Sequence, residues 1–143
     1  MAPSDLERFV AAQDAGGTYD RALAELRAGR KATHWIWFVL PQVAGLGRSE
    51  TARRYAVADL AEARAYLAHP VLGPRLREAA TALAELPPGP SASDVLGGID
   101  AQKLRSSMTL FLRAAPHEAL FARVLERYFA GEPDPATDAA LHG

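Results

Sequence analysis

Thr33 to Leu40 reads T-H-W-I-W-F-V-L. Its aromatic and β-branched residues suit a buried strand, and its length is compatible with either a strand or a helix segment. No second run in the chain offers a partner strand, and a lone strand leaves its backbone N–H and C=O groups unpaired. The stretch is therefore expected to be a buried helix ended by Pro41, and the chain as a whole to be all-α.

The flanking sequence agrees. Upstream, Tyr19, Ala22, Leu23 and Leu26 recur at helical spacing between Thr18, a possible cap, and Gly29, a stop. Before them, Ser4 and Glu7 form a capping box, Leu6, Phe9 and Val10 share a face, and Gly16-Gly17 ends the helix. Downstream, Ser49 can cap a short helix, and Asp59 with Glu62 opens another that breaks at His69-Pro70. Pro74 is read as opening the helix that carries Leu76, Ala79, Ala80 and Leu83. After a short turn at Ser93–Leu96, Asp100 is read as the cap of a helix with Leu104, Met108, Phe111 and Leu112. Pro116 is expected to open the last long helix, with Phe121, Val124, Leu125 and Tyr128, and Gly131 to end it. The tail G-E-P-D-P-A-T reads as turns with a frayed end. The loop P-P-G-P-S-A after Leu86 resembles a boundary. The about 50 residues beyond it hold too few apolar side chains for a second core. Residues 1–143 are thus expected to form a compact multihelical single domain of about seven or eight short helices.

Composition narrows the function classes. The chain has 143 residues, 49% hydrophobic and 23% charged, with a formal net charge of -1. Without cysteine there is no disulfide, thiol nucleophile or thiolate metal site, and a reducing cytoplasm is the compatible location. The start, MAPSDLERF, lacks the basic and apolar regions of a signal peptide. The longest apolar run, Trp35–Pro41, is far too short to cross a bilayer. A near-zero charge leaves no footprint for nucleic acid, and Arg53-Arg54 beside Glu50 reads as a solvated helix face. Neither membrane nor nucleic acid is expected as a partner, and the oligomeric state is unknown. More unusual is the balance of 30 alanines and 14 arginines against 2 lysines, 2 isoleucines and no asparagine. Lysine is normally among the commonest residues, so Lys31 and Lys103 stand out.

Each lysine lies in a chemically rich segment. Around Lys31 the chain reads R-K-A-T-H-W-I-W-F-V-L-P-Q, Arg30 to Gln42. On a helix, Lys31, His34, Trp35 and Phe38 would share one face, while the two tryptophans would point about 200° apart. A cation, an imidazole and an indole together suit an anionic or aromatic ligand. The competing reading is that a tryptophan-rich apolar run is core. Around Lys103 the chain reads G-G-I-D-A-Q-K-L-R-S-S-M-T-L-F, Gly97 to Phe111, with hydroxyls at Ser106, Ser107 and Thr109. Hydroxyls are mediocre helix formers. They either bond back to the preceding carbonyls or serve a ligand beside Lys103. No G-x-S-x-G elbow supports a serine nucleophile, and His34, His69, His117 and His142 are too scattered for a metal site. No Walker or G-x-G-x-x-G sequence occurs, and no cofactor can be named.

These segments resemble a bacterial family, domain of unknown function 1810. The resemblance spans nearly the whole chain. It is carried by D-L-E-R-F-V-A-A-Q (Asp5–Gln13), H-W-I-W-F-V-L-P-Q (His34–Gln42), G-L-G-R-S (Gly45–Ser49), D-A-Q-K-L-R-S-S-M-T-L-F (Asp100–Phe111) and R-Y-F-x-G-x-P-D (Arg127–Asp134). It implies an all-α multihelical fold and supplies no activity, cofactor or catalytic residue. Members are sometimes labelled calpastatin, but the many apolar stripes here are unlike a disordered, repeated protease inhibitor.

Two functional expectations follow. The first is a small-molecule site between the two segments, lined by Lys31, His34, Trp35, Gln42, Lys103, Ser106, Ser107 and Thr109. The lysines would hold an anionic group and Trp35 would stack on a ring. His34 is the general acid/base candidate, although whether the protein is an enzyme is left open. The second is a protein-interaction module built on an exposed Trp/Lys surface, without catalysis. If both segments were merely core, Trp37→Ala would unfold the protein. The ligand-site expectation requires Lys31 and Lys103 to meet in space.

Overall fold

The computed structural model describes residues 5–142, so Ser4 and its half of the expected capping box lie outside the described residues. Among the described residues ten α-helices follow one another: α1 Glu7–Asp14, α2 Thr18–Ala28, α3 Ile36–Val39, α4 Glu50–Arg54, α5 Leu60–Ala68, α6 Leu72–Ala84, α7 Ala92–Leu96, α8 Gly98–Ala114, α9 Ala119–Phe129 and α10 Pro135–His142. No strand occurs among the described residues. A single parallel bridge joins Val43 to Val57. No helix among them is long and apolar enough to cross a membrane.

Local chemistry sets most boundaries. Ser49 accepts from the N–H of Ala52, and Asp59 from that of Glu62, so both cap as expected. Gly29 ends α2 in the left-handed region at φ 75°. Other starts differ from expectation. Gly17 rather than Thr18 precedes α2, Pro74 sits inside α6, and α9 begins at Ala119 after Pro116. Helix α8 begins at Gly98, which places Asp100 in its first turn rather than at its cap. The tail forms α10 instead of fraying. Asp134 accepts from the N–H of Thr137, and Pro135 takes the first helical position, where a missing N–H costs nothing.

Helix α8 runs through the middle, packed against α5, α7, α9 and α10, while α6 packs on α2, α5 and α9. Leu104, Met108, Leu110 and Phe111 of α8 are fully buried. A line of rings crosses the core from Phe9 through Tyr66 and Phe111 to Phe121, with centroids 5.2, 5.3 and 5.9 Å apart. These spacings are those of favourable aromatic pairs.

Many arginines serve as straps on backbone carbonyls. Arg8 donates to the carbonyls of Arg54 and Ala56, Arg105 to those of Glu132 and Pro133, and Arg127 to those of Leu86 and Pro87. A planar guanidinium with several fixed donors does this better than an ammonium.

Candidate functional site

The site is organised from α2. The Glu25 carboxylate accepts from the N–H of Ala32 at 2.8 Å and of Thr33 at 3.0 Å. It also accepts from the Thr33 hydroxyl at 2.6 Å and the indole N–H of Trp35 at 2.9 Å. These bonds hold residues 31–35 outside any helix, which corrects the expected helical face of Lys31, His34, Trp35 and Phe38. Only Ile36–Val39 coil. The N–H of Lys31 donates to the carbonyl of Val95 at 2.7 Å, bringing the loop to the α7–α8 junction.

Burial alone would push the Glu25 carboxyl up. The hydrogen bonds from Thr33, Trp35 and the backbone outweigh it and hold the group at about 2, against an ordinary 4.5. The unfolded chain therefore binds the extra proton first. The stability Glu25 contributes is fully present above about pH 4.5 and lost as pH falls towards 2. Allowing for solvent screening, it amounts to about 1–2 kcal/mol. Acid denaturation of Glu25→Gln should show a flatter stability curve across that window than the parent; an identical slope would contradict this role.

Lys31 and Lys103 meet on one carboxylate. Asp100 Oδ2 lies 2.9 Å from Lys31 Nζ, and Oδ1 lies 3.1 Å from Lys103 Nζ. Each ammonium also sits over an indole, Lys31 at 5.2 Å from Trp35 and Lys103 at 4.0 Å from Trp37. Partial burial would raise the Asp100 carboxyl, but the hydrogen bonds and charges of the two lysines hold it below the ordinary carboxylate range. Around this fork the surface forms a furrow. One open depression, about 500 Å³, is lined by Lys31, His34, Gly97, Gly98, Asp100 and Lys103. The next, about 360 Å³, is lined by Trp37, Gln42, Leu46, Gly47 and Lys103. Ile99 lines both and is 79% exposed.

Lys31, His34, Gln42 and Lys103 are thus gathered along the furrow, and four other expected residues are not on it. Trp35 is 1% exposed and has no ring face to offer. Glu25 draws its N–H inward, and Trp37 is the half-exposed indole. Ser106 and Thr109 are buried and bind Asp134 instead. The Ser106 hydroxyl donates to Asp134 Oδ2 at 2.9 Å, and Thr109 Oγ1 accepts from the Asp134 N–H at 2.8 Å. Thr109 also bonds back to the Arg105 carbonyl. Ser107 is fully buried, and its Oγ has no partner among the described residues.

Removing a buried, unpartnered hydroxyl removes a desolvation cost of about 1–3 kcal/mol. Ser107→Ala should therefore melt at or above the temperature of the parent in calorimetry. A clear drop would show that the hydroxyl is used.

The sequence reading missed Glu25, Asp100 as a partner of both lysines, and Trp37. The Asp100–Lys103 pair was legible as opposite charges at i, i+3 on a helix. Nothing local marks Glu25.

Among solved structures, the chain is similar to the conserved hypothetical protein Rv1873 from Mycobacterium tuberculosis. The two share 46% sequence identity over 99% of each chain, with a TM-score of 0.94. No curated protein matches it. The family model described as "Protein of unknown function (DUF1810)" matches residues 3–141, which include both lysine segments and the Asp134 tail. With its all-α fold, its two lysine segments and its closing Asp134 all inside that match, the chain belongs to the DUF1810 family.

Proposed function

We propose that the protein binds a small anionic molecule in the furrow between Lys31–Gln42 and the first turns of α8. The observation that carries this reading is the convergence of Lys31 and Lys103 on the single Asp100 carboxylate. Two ammonium groups against one carboxylate leave positive charge in excess beside an open depression. The first-turn N–H groups of α8 add to it, because Gly97 at the cap offers no side-chain acceptor. His34, exposed on the rim, is the general acid/base candidate for any chemistry on the bound molecule. A small molecule of the cytoplasm fits a net charge of -1 better than a nucleic acid does.

The test is thermal stability with inorganic phosphate, pyrophosphate and small carboxylates, in the parent and in Lys31→Met/Lys103→Met. Methionine keeps the apolar stem over each indole and removes the charge. A ligand at 100 times its Kd adds about 2.7 kcal/mol, which for a chain of this size raises Tm by about 5–10 °C. The shift should vanish in the double variant. No shift with any anion, or one that survives in that variant, overturns the reading.

The exposed Ile99 between the two depressions favours a second reading, a protein-interaction surface built with Trp37. Ile99→Ser should leave an anion-induced shift intact. A protein partner lost with Ile99→Ser, in the absence of any anion response, would favour the interaction surface instead.

A further inference from the structure

Trp37 also lines a third cavity, on the far side of the furrow from Lys31. Its volume is about 280 Å³. The rest of its lining comes from residues between Gln42 and Ala56, a segment tied together at its ends. The Gln42 carbonyl accepts from the N–H of Val57, and the N–H of Ala44 donates to the Val57 carbonyl, both at 2.8 Å. Gly47 lets the loop approach Ala52 closely. A Cβ there would lie 2.5 Å from that of Ala52 and 3.8 Å from the Trp37 ring. Gln42 lines both this cavity and the depression next to it, which in turn reaches Lys103.

Size and lining together restrict what fits. Ligand sites generally run from about 300 to 1,000 Å³, so this cavity holds a single ring system and little more. Lys103 covers one face of the Trp37 indole, so another ring would have to stack on the opposite face. A primary amide offers both donors and an acceptor to a ring edge that has both. A substituent that leaves through the adjoining depression meets the Lys103 ammonium group.

We infer that the ligand of this furrow is a planar heteroaromatic ring carrying an anionic arm, with the ring in the Trp37–Gly47 cavity and the anion beside Lys103 and Lys31. Nucleoside 5′-monophosphates have this chemistry. The inference rests on the anion reading proposed above and adds the ring to it.

The test uses the full chain, titrated with inorganic phosphate, with the adenine, guanine, cytosine and uracil nucleoside 5′-monophosphates, and with the corresponding nucleosides. Binding is read by calorimetry and by tryptophan fluorescence. At least one nucleotide should bind about tenfold tighter than phosphate, the worth of one stacked ring, and should quench part of the emission. Gln42→Ala should weaken that nucleotide more than it weakens phosphate; equal losses for both would overturn the amide contact. The same titrations of the parent protein decide the matter if the variant does not fold. Phosphate binding as tightly as every nucleotide overturns the ring and leaves the anion site standing. Nucleosides binding as tightly as nucleotides overturn the anionic arm. No binding by any of the three groups overturns both readings.

Discussion

Trp35→Ala will destabilise the protein by about 3–5 kcal/mol, the range for emptying a large aromatic site in a core. The side chain is 1% exposed, and its indole N–H is one of the bonds that fix the 31–35 loop to Glu25. Against a total stability of about 5–15 kcal/mol, that loss is a large share. Urea denaturation should show it as a lowered midpoint with little change in slope. Trp35→Phe separates the two contributions. It keeps most of the volume and loses the hydrogen bond, and should cost about 1–2 kcal/mol. Trp37→Ala, at a half-exposed position, should cost less than Trp35→Ala. Equal losses at the two positions would contradict the burial difference, and so would a Trp35→Ala variant within about 1 kcal/mol of the parent.

Asp134→Ala should release α10. Asp134 is 3% exposed. Its carboxylate accepts from the Thr137 hydroxyl at 2.6 Å, the Thr137 N–H at 3.1 Å, the Ser106 hydroxyl at 2.9 Å and the Gln102 amide at 3.0 Å. Burial by itself would raise this carboxyl, but those donors outweigh it and hold it below its ordinary value of 3.8. Alanine leaves the hydroxyl and N–H of the buried Thr137 without an acceptor and leaves Ser106 only the Gln102 carbonyl, at a cost of about 2–4 kcal/mol. Hydrogen exchange should show the amides of Asp138 to Leu141 losing protection while α8 keeps its own. The Arg113–Asp138 fork, at 2.9 and 3.0 Å, is then the main polar tie left to that helix. Unchanged protection in α10 would sink the prediction. Because the folded carboxyl titrates below its unfolded value, its contribution is present above about pH 4 and lost as pH falls from there. Acidification of the parent should loosen the same helix.

The all-α class could be read from a single absence, that of any strand to pair with Thr33–Leu40. Caps at Ser49 and Asp59 were equally plain, since each is set by side chains within three residues. What escaped the sequence depends on partners far along the chain. Ser106 and Thr109 looked like ligand donors beside Lys103, yet their acceptor and donor lie at Asp134, across the packing of α10 on α8. Assigning the two tryptophans to core and surface required knowing that Glu25 reaches forward and stops a helix from forming at Lys31. The tail carried its own signal. Asp before Pro is the cap and first position of a helix, but the glycine and prolines around it looked like turns. The meeting of the lysines was foreshadowed by composition alone, and Asp100, the group that joins them, lay between two glycines and a lysine in plain view.

The rarity of lysine also gives the molecule an unusual outer chemistry. Both side-chain amines are tied to Asp100 and rest over indoles, with exposures of 8% and 18%. Arginine, which carries the rest of the basic charge, does not react with amine-acylating reagents under mild conditions. Such reagents therefore find few side-chain targets on this protein outside the furrow. Acylation of Lys103 ahead of Lys31 would follow their exposures, and slower acylation of either in the presence of a bound anion would map occupancy directly onto the two residues.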